Sequence, residues 1–279
     1  MKYIYRILLN YKFKLALIYF YVIIIELLYL TEPYILGKTI DGLIKSNYHW
    51  LFVFFIIEFL AIIFMYKRMV YDTKIYTSIY NKIVLGYLKN DKTSDSSSKI
   101  ARTDMAHSLI DFFENHVHYY IMSIISIIGS LYFIFLEHVK TGFLMLISII
   151  PILLIVKFFY KRISKATRIG NSHYEQKFSI MDSNDDLKID TFFKRRRKVV
   201  IHQSTLQGKN WTSLFSSKTI FLIAALIIFT NKNINLTQGE AIAMYSYIDK
   251  FLLSLLSIPV GMEMFARMKD VINRLKENK

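Results

Sequence analysis

Six apolar stretches joined by connections of two very different lengths constrain this chain more than any other feature. The stretches are 15–37, 50–66, 119–136, 141–160, 212–230 and 240–261. Three connections are short (38–49, 137–140 and 231–239), and two are long and matched (67–117 and 161–211), each of 51 residues. Each stretch has 17–23 residues, enough to cross about 30 Å of hydrocarbon at about 1.5 Å per residue. Backbone polar groups in lipid must bond within their own segment, so all six are expected to be helices. The alternation puts the short connections on one face of a membrane and the long ones on the other. The expected fold is an all-α membrane protein, a single domain over 1–279, with six transmembrane helices and two long helical hairpins on one face. The first stretch is too long for a signal-peptide core and is followed by no small-residue cleavage site, so it reads as a retained span.

Charge sets the orientation. Of 36 Lys and Arg, 4 lie in 1–14, 8 in 67–117, 12 in 161–211 and 5 in 266–279, while the three short loops hold 4. This is the positive-inside asymmetry, so both termini and both hairpins are expected in the cytoplasm. The net charge of +15 is therefore topological, and no nucleic-acid partner is expected. The run Arg195-Arg196-Arg197-Lys198 reads the same way, in reach of anionic headgroups. The chain has no Cys, which excludes disulfides, thiolate metal sites and a cysteine nucleophile. The sequons at Asn210 and Asn235 read as chance. A high content of Lys, Ile, Asn, Tyr and Phe suits an AT-rich bacterial genome, hence the inner membrane of a bacterium.

The hairpins read as helical stalks. Between 67 and 117 there is no Pro and one Gly, Gly86. Ile75, Ile79, Ile83 and Tyr87 recur at helical spacing among polar residues. The second span should therefore continue to Asn90, 24 residues past the apolar stretch, or roughly 36 Å. The segment 91–98 (DKTSDSSS) breaks the helix, and a returning helix from Lys99 leads to the third span. The second hairpin repeats the plan: 161–181 extends the fourth span, 182–190 (DSNDDLKID) is the tip, and 191–211 returns. Both tips are polar, as loop tips generally are. A stalk of this length also suits a tip that docks on a partner.

These features resemble the transmembrane domain of the ABC exporter family. Local residues agree. Pro33, Gly37 and Asp41 look like that family's Pro-x-x-x-Gly-x-x-x-Asp at the end of its first helix. Ser98-Lys99-Ile100-Ala101-Arg102 with Asp104 is similar to the stretch after the first hairpin tip. Leu236-Thr237-Gln238-Gly239-Glu240, followed by Ala241 and Tyr245, is similar to the start of the sixth helix. Arg267 to Arg274 resembles the lead into the nucleotide-binding domain. Two departures stand out. The phosphate-binding loop Gly-x-x-x-x-Gly-Lys-[Ser/Thr] is absent and the sequence stops at Lys279. Position 98 is Ser where the family often has Gly, and the first tip has no aromatic between Tyr87 and Phe112. The resemblance implies a homodimer whose fourth and fifth helices cross to the other subunit. It implies a separate ATPase subunit that binds ATP, with no cofactor on this chain. It also makes the tips the coupling segments, through Asp91, Asp95, Ser98, Asp182, Asp185 and Asp186.

Ionisable groups at membrane depth mark function by default. Here they are Glu26, Glu58, Lys218, Asp249 and Lys250. On the sixth stretch Ser246, Lys250, Ser254 and Ser257 repeat at helical spacing as one polar stripe. Two readings stay open for these groups. One is a water-filled translocation cavity formed by Glu26, Ser246, Asp249, Lys250, Ser254 and Ser257. The other is a buried ion pair such as Glu26 with Lys250, plus hydroxyls bonded to their own backbone. Lys157 should snorkel at the inner interface, and Pro151 and Pro259 should kink their helices. His107, Asp111, Glu114 and His118 share one helix face. They suit intrahelical pairing or contact with the other hairpin better than a metal. No Ser-His-Asp or paired-carboxylate arrangement stands out, so the chain is not expected to be an enzyme. The expected function is the membrane-spanning subunit of an exporter working by alternating access. Two alternatives stand beside it: an ATP-independent membrane scaffold or regulator, and an ion-coupled transporter using Glu26, Glu58 and Asp249.

Overall fold

The computed structural model describes residues 7, 9–90, 96–181, 185–231, 236–258, 261 and 264. The described residues are helical, with no strand among them. The elements are α1 (Lys12–Ile44), α2 (His49–Asn90), α3 (Ser96–Asp111), a π-helical segment (Phe112–Val117), α4 (His118–Glu137), α5 (Val139–Met181), α6 (Asp186–Thr230) and α7 (Gln238–Leu255). The stalk reading holds: α2 runs unbroken to Asn90 and α5 to Met181.

Several boundaries differ from expectation for identifiable reasons. The first short connection is Lys45 to Tyr48 only, because α1 continues seven residues beyond Gly37. α3 starts at Ser96 rather than Lys99. The second tip is shorter than 182–190, because Asp185 caps a helix that starts at Asp186. The Asp185 carboxylate accepts from the backbone N–H groups of Leu187 (3.1 Å) and Lys188 (3.2 Å), satisfying two donors that a helix start leaves open. The return of the first hairpin is not one α-helix but is interrupted by the π-helical segment. α5 passes through Pro151 without a break.

Five helices are long and apolar enough to cross a membrane: Lys12–Ile44, His49–Gly86, Ala106–Glu137, Val139–Ala166 and Asp186–Thr230. The sixth expected span, α7, is not among them. Its 18 residues include Glu240, Asp249 and Lys250. A helix that packs against protein on most sides need not be apolar all round, and α7 does so: Met244, Tyr247, Ile248, Phe251, Leu252 and Leu255 are buried.

The chain divides into two compact units, 1–142 with 226–279, and 143–225. In the first, α1 packs against α2, α4 and α7, and α4 packs against α7. The apolar stretch of α2 is the least covered, with Phe52, Phe55, Ile56, Phe59 and Ile62 all exposed; lipid is the natural neighbour for such a face. Beyond it the same helix becomes core. Ile75, Tyr76, Ile79 and Ile83 close on Ile7, Tyr11, Ile18, Ala106 and Ile110. Burying each of these Ile side chains is worth about 1.5–3 kcal/mol. In the second unit, α5 and α6 run as a helical hairpin. Gln203 donates to the Ala166 carbonyl across it (2.7 Å). Gly170 leaves room there, since a Cβ would fall 2.4 Å from the Gln203 amide nitrogen.

Candidate functional site

Pro33, Gly37 and Asp41 stand four residues apart on α1, so they share one face. Each makes a different contribution to seating α7. Proline has no N–H, so in a helix the carbonyl four residues back loses its usual partner. Here that carbonyl belongs to Tyr29, and it accepts from the Lys250 ammonium at 2.7 Å. Gly37 meets Gly239 backbone to backbone; a Cβ on Gly37 would fall 2.5 Å from the Gly239 carbonyl oxygen. Asp41 closes the strip by accepting from the Thr237 hydroxyl (2.7 Å) and the Gly239 N–H (2.9 Å). Thr237 and Glu240 form a capping box on the same helix start. The box is legible in the spacing Thr-x-x-Glu, a signal the sequence analysis passed over. Tyr247 adds a hydrogen bond to the Leu30 carbonyl (3.0 Å) and stacks on Phe133 at 4.8 Å.

This seating decides which way the polar stripe of α7 points. Glu26, Ser246, Asp249, Lys250 and Ser254 line one cavity of about 380 Å³, together with Tyr119, Met122, Ser123 and Ser126 from α4 and Tyr245 and Leu253 from α7. Ser257 does not line it: it is 3% exposed and donates to the Ser254 carbonyl (2.7 Å). The ion pair of the second reading is present, and it borders this cavity. Glu26, 4% exposed, accepts from the Ser126 hydroxyl and pairs with Lys250 at 3.7 Å. The Tyr29 ring lies 5.6 Å from the same ammonium. An ion pair with a buried carboxylate and a partly exposed ammonium thus lines the cavity. Such a pair is held by its geometry and by the extra hydrogen bonds to Ser126 and Tyr29, not by net Coulomb gain.

Glu32 was missed in the sequence. It is half-buried on α1 and interacts electrostatically with Glu58 and Lys250. It lies within the 15–37 apolar stretch, so charge inside an apolar run, the signal that singles out Glu26, applies to it equally. Glu58 lies on α2 with Oε1 buried and no hydrogen-bond partner. Asn210 is 7% exposed on α6, which suits the reading of its sequon as chance.

The four residues of the His107 face go to separate partners. Tyr80 stacks edge-on against His107 (5.7 Å), Asn115 donates to Asp111 (2.7 Å), and Thr73 donates to Glu114 (3.5 Å). His118 is 2% exposed and faces Asp72 at 3.7 Å, and Asp72 also pairs with Arg68 at 3.4 Å. The contacts of His107, Glu114 and His118 run to α2 of the same hairpin, while the Asn115–Asp111 bond is local to the returning segment. Among the described residues no group of His, Cys, Asp or Glu is placed to hold a metal ion.

Of the tip residues, Asp91, Asp95 and Asp182 lie outside the described residues, as do Pro259, Asn235 and 267–274. Ser98 falls in the first turn of α3, and Asp186 is the first residue of α6. The Lys188 backbone N–H, with its side chain 3.1 Å away, holds the Asp185 carboxyl below the usual carboxylate range. The run 195–198 lies 14–17 residues before the apolar stretch that begins at Thr212. At about 1.5 Å per residue that is about 20 Å along α6.

Residues 4–239 match the family model described as an ABC transporter transmembrane region. No curated protein matches the chain.

Proposed function

Because the chain belongs to the family of ABC transporter transmembrane regions, we propose that it is the membrane-spanning subunit of an ABC-type exporter and forms one wall of its translocation path. The observation that carries this reading is the cavity at membrane depth onto which Glu26, Ser246, Asp249, Lys250 and Ser254 converge. Charged and hydroxyl side chains in a membrane protein face water-filled paths or one another, and these do both. α7 serves as the sixth crossing, shielded by α1 and α4. The Lys and Arg distribution supports cytoplasmic hairpins and termini, and the Lys, Ile, Asn, Tyr and Phe content supports a bacterial inner membrane. ATP is bound and split by an ATPase outside these 279 residues, since they contain no phosphate-binding loop. Two copies pair, and the tips at 91–98 and 182–190 carry ATPase closure to the cavity, which opens alternately to each side.

The test is a mild-detergent purification of the tagged chain from its native membrane, with ATPase activity assayed in the eluate. A co-purifying ATPase that is lost when both tips are scrambled supports the proposal. A clean dimer without ATPase, or transport that continues in its absence, overturns it in favour of a scaffold or an ion-coupled carrier.

A further inference from the structure

The hairpin of α5 and α6 is cationic where it meets the membrane, with no acid to balance it. α5 carries no Asp or Glu before Glu175, and α6 carries none after Asp190. Five Lys and Arg lie in 157–174 and seven in 191–218. The Gln203 bond to Ala166 sets the level of one helix against the other. Lys209, six residues past Gln203, stands level with Tyr160, six before Ala166, and so close in height to Lys157 and Lys161. All three lysines are exposed. Lys209 precedes the apolar stretch by three residues, or about 4.5 Å, which puts it within a headgroup layer roughly 5–8 Å deep.

Beyond Lys209, toward the apolar stretch, the same face of α6 forms a groove. Thr212, Ser216 and Thr219 follow Lys209 at spacings of 3, 4 and 3, so they share its face. With Trp211, Phe215 and Ile220 they line a groove of about 600 Å³. All six side chains are exposed. Ser213 and Thr219 spend their protons on the Lys209 and Phe215 carbonyls (2.9 Å each). The Thr212 and Ser216 hydroxyls make no hydrogen bond among the described residues. Like the Trp211 indole, each has a proton to donate. The groove therefore offers a cation and donors at its mouth, and apolar surface on Phe215 and Ile220 beyond.

We propose that this groove binds an anionic phospholipid of the leaflet that the hairpins meet. The phosphate sits on Lys209, Thr212 and the Trp211 N–H, Ser216 donates to an ester carbonyl, and an acyl chain lies on Phe215 and Ile220. A phosphodiester brings negative charge and acceptors only, the complement of this mouth. Basic side chains beside a membrane span draw anionic lipid, and tryptophan favours the same interfacial layer. A zwitterionic headgroup adds an ammonium, which the acid-free surroundings of Lys157, Lys161 and Lys209 repel. An apolar helix of a second copy in the groove would cover Lys209 and two free hydroxyls without pairing them. The proposal needs only that the chain spans a membrane and does not depend on the export reading.

The chain has two tryptophans, Trp50 and Trp211, so Trp50→Phe leaves a single fluorescent reporter on the groove. The full chain with this substitution is placed in vesicles that mix phosphatidylglycerol and phosphatidylcholine, one or the other with brominated acyl chains. Quenching of Trp211 then gives the relative affinity of the two lipids. Phosphatidylglycerol should be preferred by about fivefold or more. Lys209→Gln should cut that preference about fivefold, the effect of one basic residue at an anionic surface. Lys198→Gln, farther up the stalk, should leave it within about twofold, and millimolar inorganic phosphate should not compete. Equal quenching by both lipids, or a preference that Lys198→Gln lowers as much as Lys209→Gln does, overturns the site in favour of general surface charge. A preference lost to inorganic phosphate makes it a site for a soluble anion and overturns the lipid. Trp211 unquenched by either lipid means that protein covers the groove, and overturns the proposal as well. Native mass spectrometry supplies a check without Trp50→Phe: the unsubstituted chain should retain more phosphatidylglycerol than its Lys209→Gln variant, and equal retention would overturn the proposal.

Discussion

The two hairpins are equal in length and opposite in construction. Within 67–117 the side chains of Asp72, Ile75, Tyr76, Ile79, Ile83, Ala106, Leu109, Ile110 and Phe112 are all buried. Within 161–211 only Ala166, Phe192 and Asn210 are buried among the described residues. The charges differ in the same sense. The first hairpin balances 8 Lys and Arg against 6 Asp and Glu, whereas the second sets 12 against 5. Moreover, Leu187, Val200 and Ile201 on the second are at least half exposed. The first hairpin is part of its chain's own core, closed onto the N-terminal end of α1. The second has few buried side chains among the described residues. Equal length therefore does not imply equal duty. A long stalk can be stiffened by packing against its own chain, or left uncovered as surface for something else, as the paired subunits proposed above require.

The contrast is open to direct attack. The largest effect is expected at Asp72, where truncation to Ala leaves the Arg68 guanidinium without the carboxylate 3.4 Å from it. Breaking a buried pair from one side costs about 3–5 kcal/mol, so the unfolding midpoint of the detergent-solubilised protein should drop sharply. An unchanged midpoint would show that the first hairpin does not depend on this cluster.

Next comes a matched pair of apolar truncations. Ile79→Ala removes a side chain that is 0% exposed and should cost about 2–4 kcal/mol, mostly as an unfilled cavity. Ile201→Ala removes one that is 54% exposed and should stay within about 0.5 kcal/mol. Equal losses at the two sites would erase the distinction between the hairpins.

The smallest effect is local, at the start of α6. Asp185→Ala should expose the amides of Leu187 and Lys188 to hydrogen exchange without changing the global midpoint. The cap is also pH-dependent, with a defined sign. Its carboxyl titrates below the usual carboxylate range because the Lys188 N–H and side chain favour the charged form. The cap's contribution is therefore complete above the ordinary carboxylate value and is lost as pH falls through the depressed one. Asp185→Asn should keep the cap, because an amide oxygen accepts equally, but abolish the pH step. Protection that persists in Asp185→Ala would refute the cap.

Much of this architecture is legible in the chain because it is local. Helical periodicity and the lack of Pro in 67–90 suffice to carry α2 to Asn90. Glu26 and Lys250 attract notice for an equally local reason: charge inside an apolar stretch is costly wherever it points. The Asp185 cap was local too, and reading 182–190 as one loop overlooked it.

What the sequence alone determined, then, is an all-helical chain with apolar spans of membrane length, two stalks of equal size, and a short list of polar residues at membrane depth. What only the tertiary structure decided is how those residues meet. Pro33 frees the Tyr29 carbonyl, but that the freed oxygen receives Lys250, 221 residues away, depends on helix packing. Asp41 and Thr237 lie 196 residues apart, and two motifs that read separately turn out to be the two halves of one helix junction. The π-helical segment and the placing of His118 opposite Asp72 have no periodic signature. Spacing along a helix sets which residues share a face; which neighbour that face meets is set by packing between distant segments, a contest among many contacts that no single stretch of sequence contains.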